Sequence, residues 1–214
     1  MVKSKTYIVA ALVTFVLIAS GFLFNWYFTE MRQSQIDQDL ISLQSSISES
    51  QLEMLYITEF TNATCEIIDE SRSSTSKSLY EVNKRLIATE QNAINPSENF
   101  YRLKKDQTIL YVKLWMLTYK MKEECNTNVS TILYFFDTHS SDSQTQGHVL
   151  DSVTKEYGTE RVLIVPLDYE LDSGIIRILA RQFNVTKSPT LVLNENETLS
   201  KVVSRPEIEE KLNL

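Results

Sequence analysis

Few side chains in this 214-residue sequence are of a type that performs chemistry. The two cysteines, Cys65 and Cys125, are too far apart in sequence for the Cys-x-x-Cys geometry of a redox pair. With only His139 and His148 beside them, they do not make a structural zinc site of the usual spacing. The remaining concentration of polar groups is Asp137-Thr138-His139-Ser140-Ser141-Asp142-Ser143. Ser140 as a nucleophile needs a base, but the adjacent His139 rarely reaches the right geometry, and no Gly-x-Ser-x-Gly elbow accompanies either histidine. Asp137, His139 and Asp142 make at most a weak metal cluster. The simpler reading is a solvated loop in which Ser140 or Asp142 caps the next helix by accepting from its first free N–H groups. No metal and no cofactor are expected.

Composition narrows the classes further. Four glycines include neither a dinucleotide fingerprint nor a phosphate-binding loop. A net charge of -7 argues against a nucleic-acid partner, which requires a basic face to release counterions. Hydrophobic residues at 43% and charged residues at 23% are ordinary for a folded chain.

The elements that position the polar stretch begin with an uncharged run from Thr6 to Phe28, long enough for the roughly 20 apolar residues that cross a bilayer. Asn25, Trp26 and Tyr27 close it with rings suited to the headgroup level. Lys3 and Lys5 precede the run, while Glu30, Asp37 and Asp39 follow it with Arg32 as the one cation between them. The positive-inside bias therefore predicts a single-pass cell-membrane anchor, with a cytoplasmic N-terminus and residues 30–214 extracytoplasmic. A cleavable signal peptide ending near Ala19-Ser20-Gly21 is the competing reading, but the apolar run continues past that point.

Next, Ile36, Leu40, Leu43 and Ile47 form one narrow helical stripe. Packing against the following helices is the simpler reading, a short coiled coil the alternative. Two longer seams follow: Cys65, Ile68, Arg72, Thr75, Leu79, Val82, Leu86, then Phe100, Leu103, Gln107, Leu110, Leu114, Leu117, Met121. Asn95-Pro96-Ser97 separates them, which predicts an antiparallel helical hairpin. Cys65 and Cys125 are equidistant in sequence from Asn95, so they should meet at the open end. Outside the cytoplasm such a disulfide persists, and closing a loop of about 60 residues should stabilise by roughly 4 kcal/mol.

From Ser130 onward the texture alternates. Thr131–Phe136 and Val162–Leu167 read as strands, Ser143–Tyr157 and Ile175–Phe183 as helices. Ser188-Pro189-Thr190 leads into a strand at Leu191–Leu193. A turn at Asn194-Glu195-Asn196 precedes a strand near Leu199–Val203, and a helix starts after Arg205-Pro206. The first crossover plus the final hairpin give a mixed sheet covered by helices.

This order, with proline opening the third strand, resembles the thioredoxin fold over residues 130–214. The resemblance implies an α/β, thioredoxin-like mixed sheet with flanking helices, preceded by the anchor and the hairpin. It also implies a Cys-x-x-Cys after the aromatic end of the first strand. Ser140 and Ser143 stand at those positions, and no cysteine lies in residues 126–214. A serine hydroxyl cannot form the mixed disulfide of thiol exchange. The domain is therefore expected to be inactive as an oxidoreductase. Ser188-Pro189-Thr190 resembles the family's cis-proline segment, which implies that Thr138, Ser188 and Pro189 outline an edge for an extended peptide. A fold determinant without a ligand is the alternative. Anchor, hairpin and domain together resemble uncharacterised archaeal membrane proteins with thioredoxin-like ends.

The expected organisation is residues 1–29 as cytoplasmic tip and anchor, 30–126 as helical stalk and hairpin, and 130–214 as the thioredoxin-like domain. The expected function is a membrane-anchored binding, scaffolding or chaperone-like module for extended peptides or for membrane and secreted proteins. One alternative is a thiol–disulfide oxidoreductase using Cys65 and Cys125, another a purely structural tether. Sequons at Asn62, Asn128, Asn184 and Asn196 are compatible with an external face.

Overall fold

Neither proline nor glycine interrupts residues 65–92 or 98–125, so each stretch propagates helix without a broken hydrogen-bond ladder. The computed structural model describes residues 12–23, 52, 55, 57, 64–92 and 98–214. Residues 12–23 are helical (α1). After them come α2 (Cys65–Asn92), α3 (Glu98–Cys125), β1 (Ser130–Phe136), α4 (Ser141–Tyr157) and β2 (Val162–Asp168). The chain ends with α5 (Gly174–Gln182), β3 (Thr190–Leu193), β4 (Glu197–Leu199) and α6 (Arg205–Leu212).

Residues 1–51 and 52–214 are two compact units. In the first, the α1 side chains Leu12, Phe15, Val16, Ile18 and Phe22 are all exposed. Among the described residues no helix is long and apolar enough to cross a membrane. Asn25, Trp26, Tyr27 and the stripe from Ile36 to Ile47 lie outside the described residues, as does Asn95-Pro96-Ser97.

In the second unit α2 and α3 form the antiparallel hairpin. Cys65 and Cys125 are joined by a disulfide, their Cα atoms 5.6 Å apart. The same register recurs deeper in the hairpin: Gln107 Nε2 donates to Asn83 Oδ1 at 2.7 Å, and these two residues are also equidistant from Asn95. Ile68, Thr75, Leu79 and Val82 of α2 are buried, as are Leu103, Leu110, Leu114 and Leu117 of α3. Arg72 is different. It reaches out of the seam to Asp69 at 3.1 Å and Glu160 at 3.5 Å. Asn126 ends α3 in the left-handed conformation (φ 54°), which asparagine tolerates better than most side chains.

The sheet runs β2-β1-β3-β4, with β1 parallel to β2 and antiparallel to β3. The parallel pair carries the α4 crossover between its strands, and a three-residue turn joins β3 to β4. Ile132, Leu150, Val153, Leu191, Ile208 and Leu212 form a core between the sheet, α4 and α6. Alternation along β1 turns Leu133 and Phe135 to the opposite face, where they are equally buried. The α/β class, the mixed sheet and the flanking helices agree with the sequence reading.

Two expectations need correction. The fourth strand is Glu197–Leu199, not Leu199–Val203. Past Leu199 the chain leaves the ladder because Val203 N–H donates to the buried Gln146 Oε1 at 2.6 Å and its side chain enters the core. The change of texture at residues 126–130 marks a switch from helices to strands but not a boundary between compact units, since hairpin and sheet pack together. A second buried face of α3, with Thr108, Val112, Trp115 and Thr118, makes this possible. Trp115 meets Phe183 edge-on at 6.3 Å, and Lys104 pairs with Asp168 at 3.0 Å.

Candidate functional site

The antiparallel register pairs Phe135 with Thr190. It places the loop after β1 and the segment before β3, hence Thr138, Ser140, Ser188 and Pro189, at one end of the sheet. Ser188-Pro189 is a cis peptide bond. Pro189 is buried, Ser188 and Ser140 are half-buried, and Thr138 is exposed.

The loop is shaped by its own side chains. Asp137 Oδ1 accepts from His139 N at 2.7 Å, and Ser140 N donates to the Asp137 carbonyl at 3.2 Å. Ser140 is the N-cap of α4, with extended backbone (φ -90°, ψ 124°), and its hydroxyl oxygen accepts from Ser143 N at 3.3 Å. Asp142 adds a negative charge in the first turn, favourable beside the helix dipole. Ser143 is only 2% exposed. Its hydroxyl oxygen accepts from Asp137 N at 3.1 Å, and its carbonyl accepts from the Tyr134 phenol. Burial pushes that phenol up to about 12, with the nearby Asp151 charge acting in the same direction. Both serines therefore have local structural work, and neither hydroxyl meets a histidine.

His139 directs its Nδ1 toward Thr138 Oγ1 at 3.3 Å and Asp137 Oδ1 at 3.4 Å. His148 is exposed on α4. The possible metal group differs from the sequence reading: Glu170, not Asp142, joins Asp137 and His139, with ligand atoms within 4.8 Å of one another. Sequence proximity could not reveal Glu170, which comes from the loop after β2. That loop is tied to β1 by Tyr169 N donating to Phe136 O at 2.8 Å. His139 and Glu170 are both exposed, so the trio is an open loop surface rather than a closed cage.

Thr190 secures the other side of the site, its hydroxyl donating to Lys187 O at 2.8 Å and lying 3.0 Å from Ser200 Oγ. The sequon residues Asn128, Asn184 and Asn196 are exposed, while Asn62 lies outside the described residues. Cys65 is the first residue of α2 and is exposed, and Cys125 packs beside Ile57, Ile68 and Leu117.

No family model and no curated protein matches the chain. Several solved structures are similar to it. A malarial protein shares 27% identity, with 40% of this chain and 94% of that one covered and a TM-score of 0.34. Thioredoxin-2, described as a component of the malaria parasite's protein secretion machinery, shares 26% identity over 40% of this chain and 82% of its own, with a TM-score of 0.35. Chloroplastic thioredoxin z shares 17% identity over 45% of this chain and 85% of its own, with a TM-score of 0.36.

Beside Glu170, two features of the sheet escaped sequence reasoning, one at this end and one at the opposite end. The buried role of Ser143 depends on Tyr134, nine positions away, which no local pattern signals. Glu195 is the other. It adopts a left-handed conformation (φ 61°) unusual for glutamate, and its carboxylate collects Trp115 Nε1 at 2.7 Å, Lys122 Nζ at 3.3 Å and Thr131 Oγ1 at 2.5 Å.

Proposed function

We propose that this chain is a membrane-anchored, extracytoplasmic thioredoxin-like protein that binds extended segments of other membrane or secreted proteins and performs no thiol–disulfide exchange at its sheet end. The observation that carries this reading is the shared sheet end itself. Ser188 and Pro189 stand beside the loop bearing Ser140 and Ser143, and that loop offers hydroxyls already engaged in capping and in holding the Asp137 amide. What remains available is main-chain hydrogen bonding beside Ser188 and the exposed Thr138, which suits an extended peptide. The exposed apolar side chains of α1 and the lysines before the apolar run support the anchor. The order of anchor, hairpin and sheet domain is also what the resemblance to archaeal membrane proteins implies.

A photo-crosslinking residue at Ser188 or Thr138 in the full chain, expressed in its own membrane, tests the binding role. Discrete adducts from both positions, absent when the probe is moved to Asn128, are the expected result. Adducts from neither position would remove the reading.

One observation favours a second reading. Cys65 lies exposed at the first position of α2, where an incoming thiolate can reach its sulfur, so the Cys65–Cys125 pair has one attribute of a redox couple. Insulin reduction that disappears on Cys65→Ser would select it.

A further inference from the structure

We propose that the free edge of β2 is a strand-addition site for an extended polypeptide segment bearing a basic side chain. This site is separate from the end of the sheet at Pro189. In the order β2-β1-β3-β4 one outer strand, β4, has only three residues, and Lys211 pairs with its Glu197. The other, β2, has seven and among the described residues pairs only with β1.

Two bonds fix which β2 groups face outward. Ser130 N donates to Arg161 O at 2.9 Å, and Tyr169 N donates to Phe136 O at 2.8 Å. Odd-numbered residues of β2 therefore spend their amides and carbonyls on β1, and even-numbered ones turn theirs to the free edge. Pro166 fits this parity, because a proline is tolerated where no ladder N–H is required. Ile164 presents both N–H and C=O at the edge, and neither has a hydrogen-bond partner among the described residues.

An unpaired edge alone is an ordinary liability that folds cover or blunt. Here a cleft of 410 Å³ adjoins it, bounded by α4 through Gly147, Leu150 and Asp151 and by the hairpin through Leu79, Tyr111 and Leu114. Val162, Leu163, Ile164 and Pro166 contribute its strand side, whereas no β3 or β4 residue reaches it. A peptide strand entering there would gain the Ile164 amide and carbonyl and place alternate apolar side chains against Leu79, Leu114 and Leu150.

The charges choose the partner. Asp151 has no ion-pair partner among the described residues, and Glu160 meets only Arg72, at 3.5 Å with its side chain 81% exposed. Two carboxylates beside one already divided cation complement a lysine or arginine on the incoming strand.

The test uses the full chain in uncharged detergent and a fluorescein-labelled hexapeptide alternating valine and lysine. Saturable binding is expected, together with slowed hydrogen exchange at the Ile164 amide. Methylating alternate peptide nitrogens should weaken binding roughly tenfold, the effect of losing one or two net hydrogen bonds. Ile164→Pro should weaken it by a similar factor, and Asp151→Asn roughly threefold. Absence of saturable binding, or equal affinity for the methylated peptide, would overturn the proposal without depending on how any variant folds. Ile164 protection that grows with protein concentration in the absence of peptide would also overturn it, by making a second copy of the chain the occupant. None of these readouts involves Ser188, so the site at Pro189 is judged separately.

Discussion

Trp115 donates its indole N–H to the Glu195 carboxylate across 2.7 Å, joining the middle of α3 to the turn between β3 and β4. Lys122 and Thr131 meet the same carboxylate, and Glu195 is held in a left-handed conformation while they do so. Such a backbone conformation costs roughly 1–2 kcal/mol in a non-glycine residue, so the three donors must more than offset it. The hairpin is thus attached to the sheet by a polar clasp as well as by the Trp115–Phe183 contact.

Glu195→Ala removes the acceptor from three donors, one of them a partly buried ammonium. The expected loss is about 2–3 kcal/mol in urea unfolding followed by circular dichroism. Glu195→Gln should cost less, since its amide oxygen still receives the indole. An unchanged midpoint in the alanine variant would mean that apolar contact alone docks the hairpin.

Reducing Cys65–Cys125 opens a loop spanning a sequence separation of 60 residues. Chain entropy predicts a loss of roughly 4 kcal/mol, and the paired serine variant should show the same loss without reductant. If reduction left unfolding unchanged, the packed seam around Ile68 and Leu117 would by itself define the hairpin.

Tyr134 supplies a pH dependence at the alkaline end. Its folded value, about 12, lies above the ordinary 10.0, so the folded state keeps its proton where the unfolded state has lost it. The contribution is therefore fully present below pH 10 and is lost as pH rises toward 12. Unfolding midpoints between pH 9 and pH 12 should fall more steeply for the native chain than for Tyr134→Phe. Parallel slopes would contradict the burial of the Tyr134 phenol.

Much of this architecture was legible in the sequence. Periodicity and turn residues located the helices and the first three strands of residues 65–214 but misplaced the fourth, and the equal spacing of the cysteines from Asn95 anticipated their bond. What was not legible shares one cause, contact at long range. The second face of α3 lies among residues that a single three-and-four seam passes over, so Trp115 reads as helix surface until the sheet is present. Val203 has the apolar character of a strand residue, yet Gln146, far earlier in the chain, takes its amide out of the ladder. Around the site, residue type offered Ser140 or Asp142 as a cap but gave no sign that Glu170 would approach His139, because the two belong to loops joined only when β1 and β2 pair.

Ser143→Ala tests the structural assignment of that serine. The Asp137 amide loses its acceptor, and a loss of about 1–2 kcal/mol is expected, whereas Ser140→Ala, a cap, should cost about 1 kcal/mol. Equal stability of both variants with the native chain would show that the loop does not depend on either hydroxyl.

Insulin reduction by the full chain, compared with its Ser140→Cys/Ser143→Cys variant, bears most directly on the claim that this sheet end lacks only sulfur to act on thiols. The native chain should show no turnover, and the double variant should acquire it, with Cys65→Ser altering neither. Turnover by the native chain, or a fully inert double variant whose two new thiols fail to form a disulfide, would contradict the account.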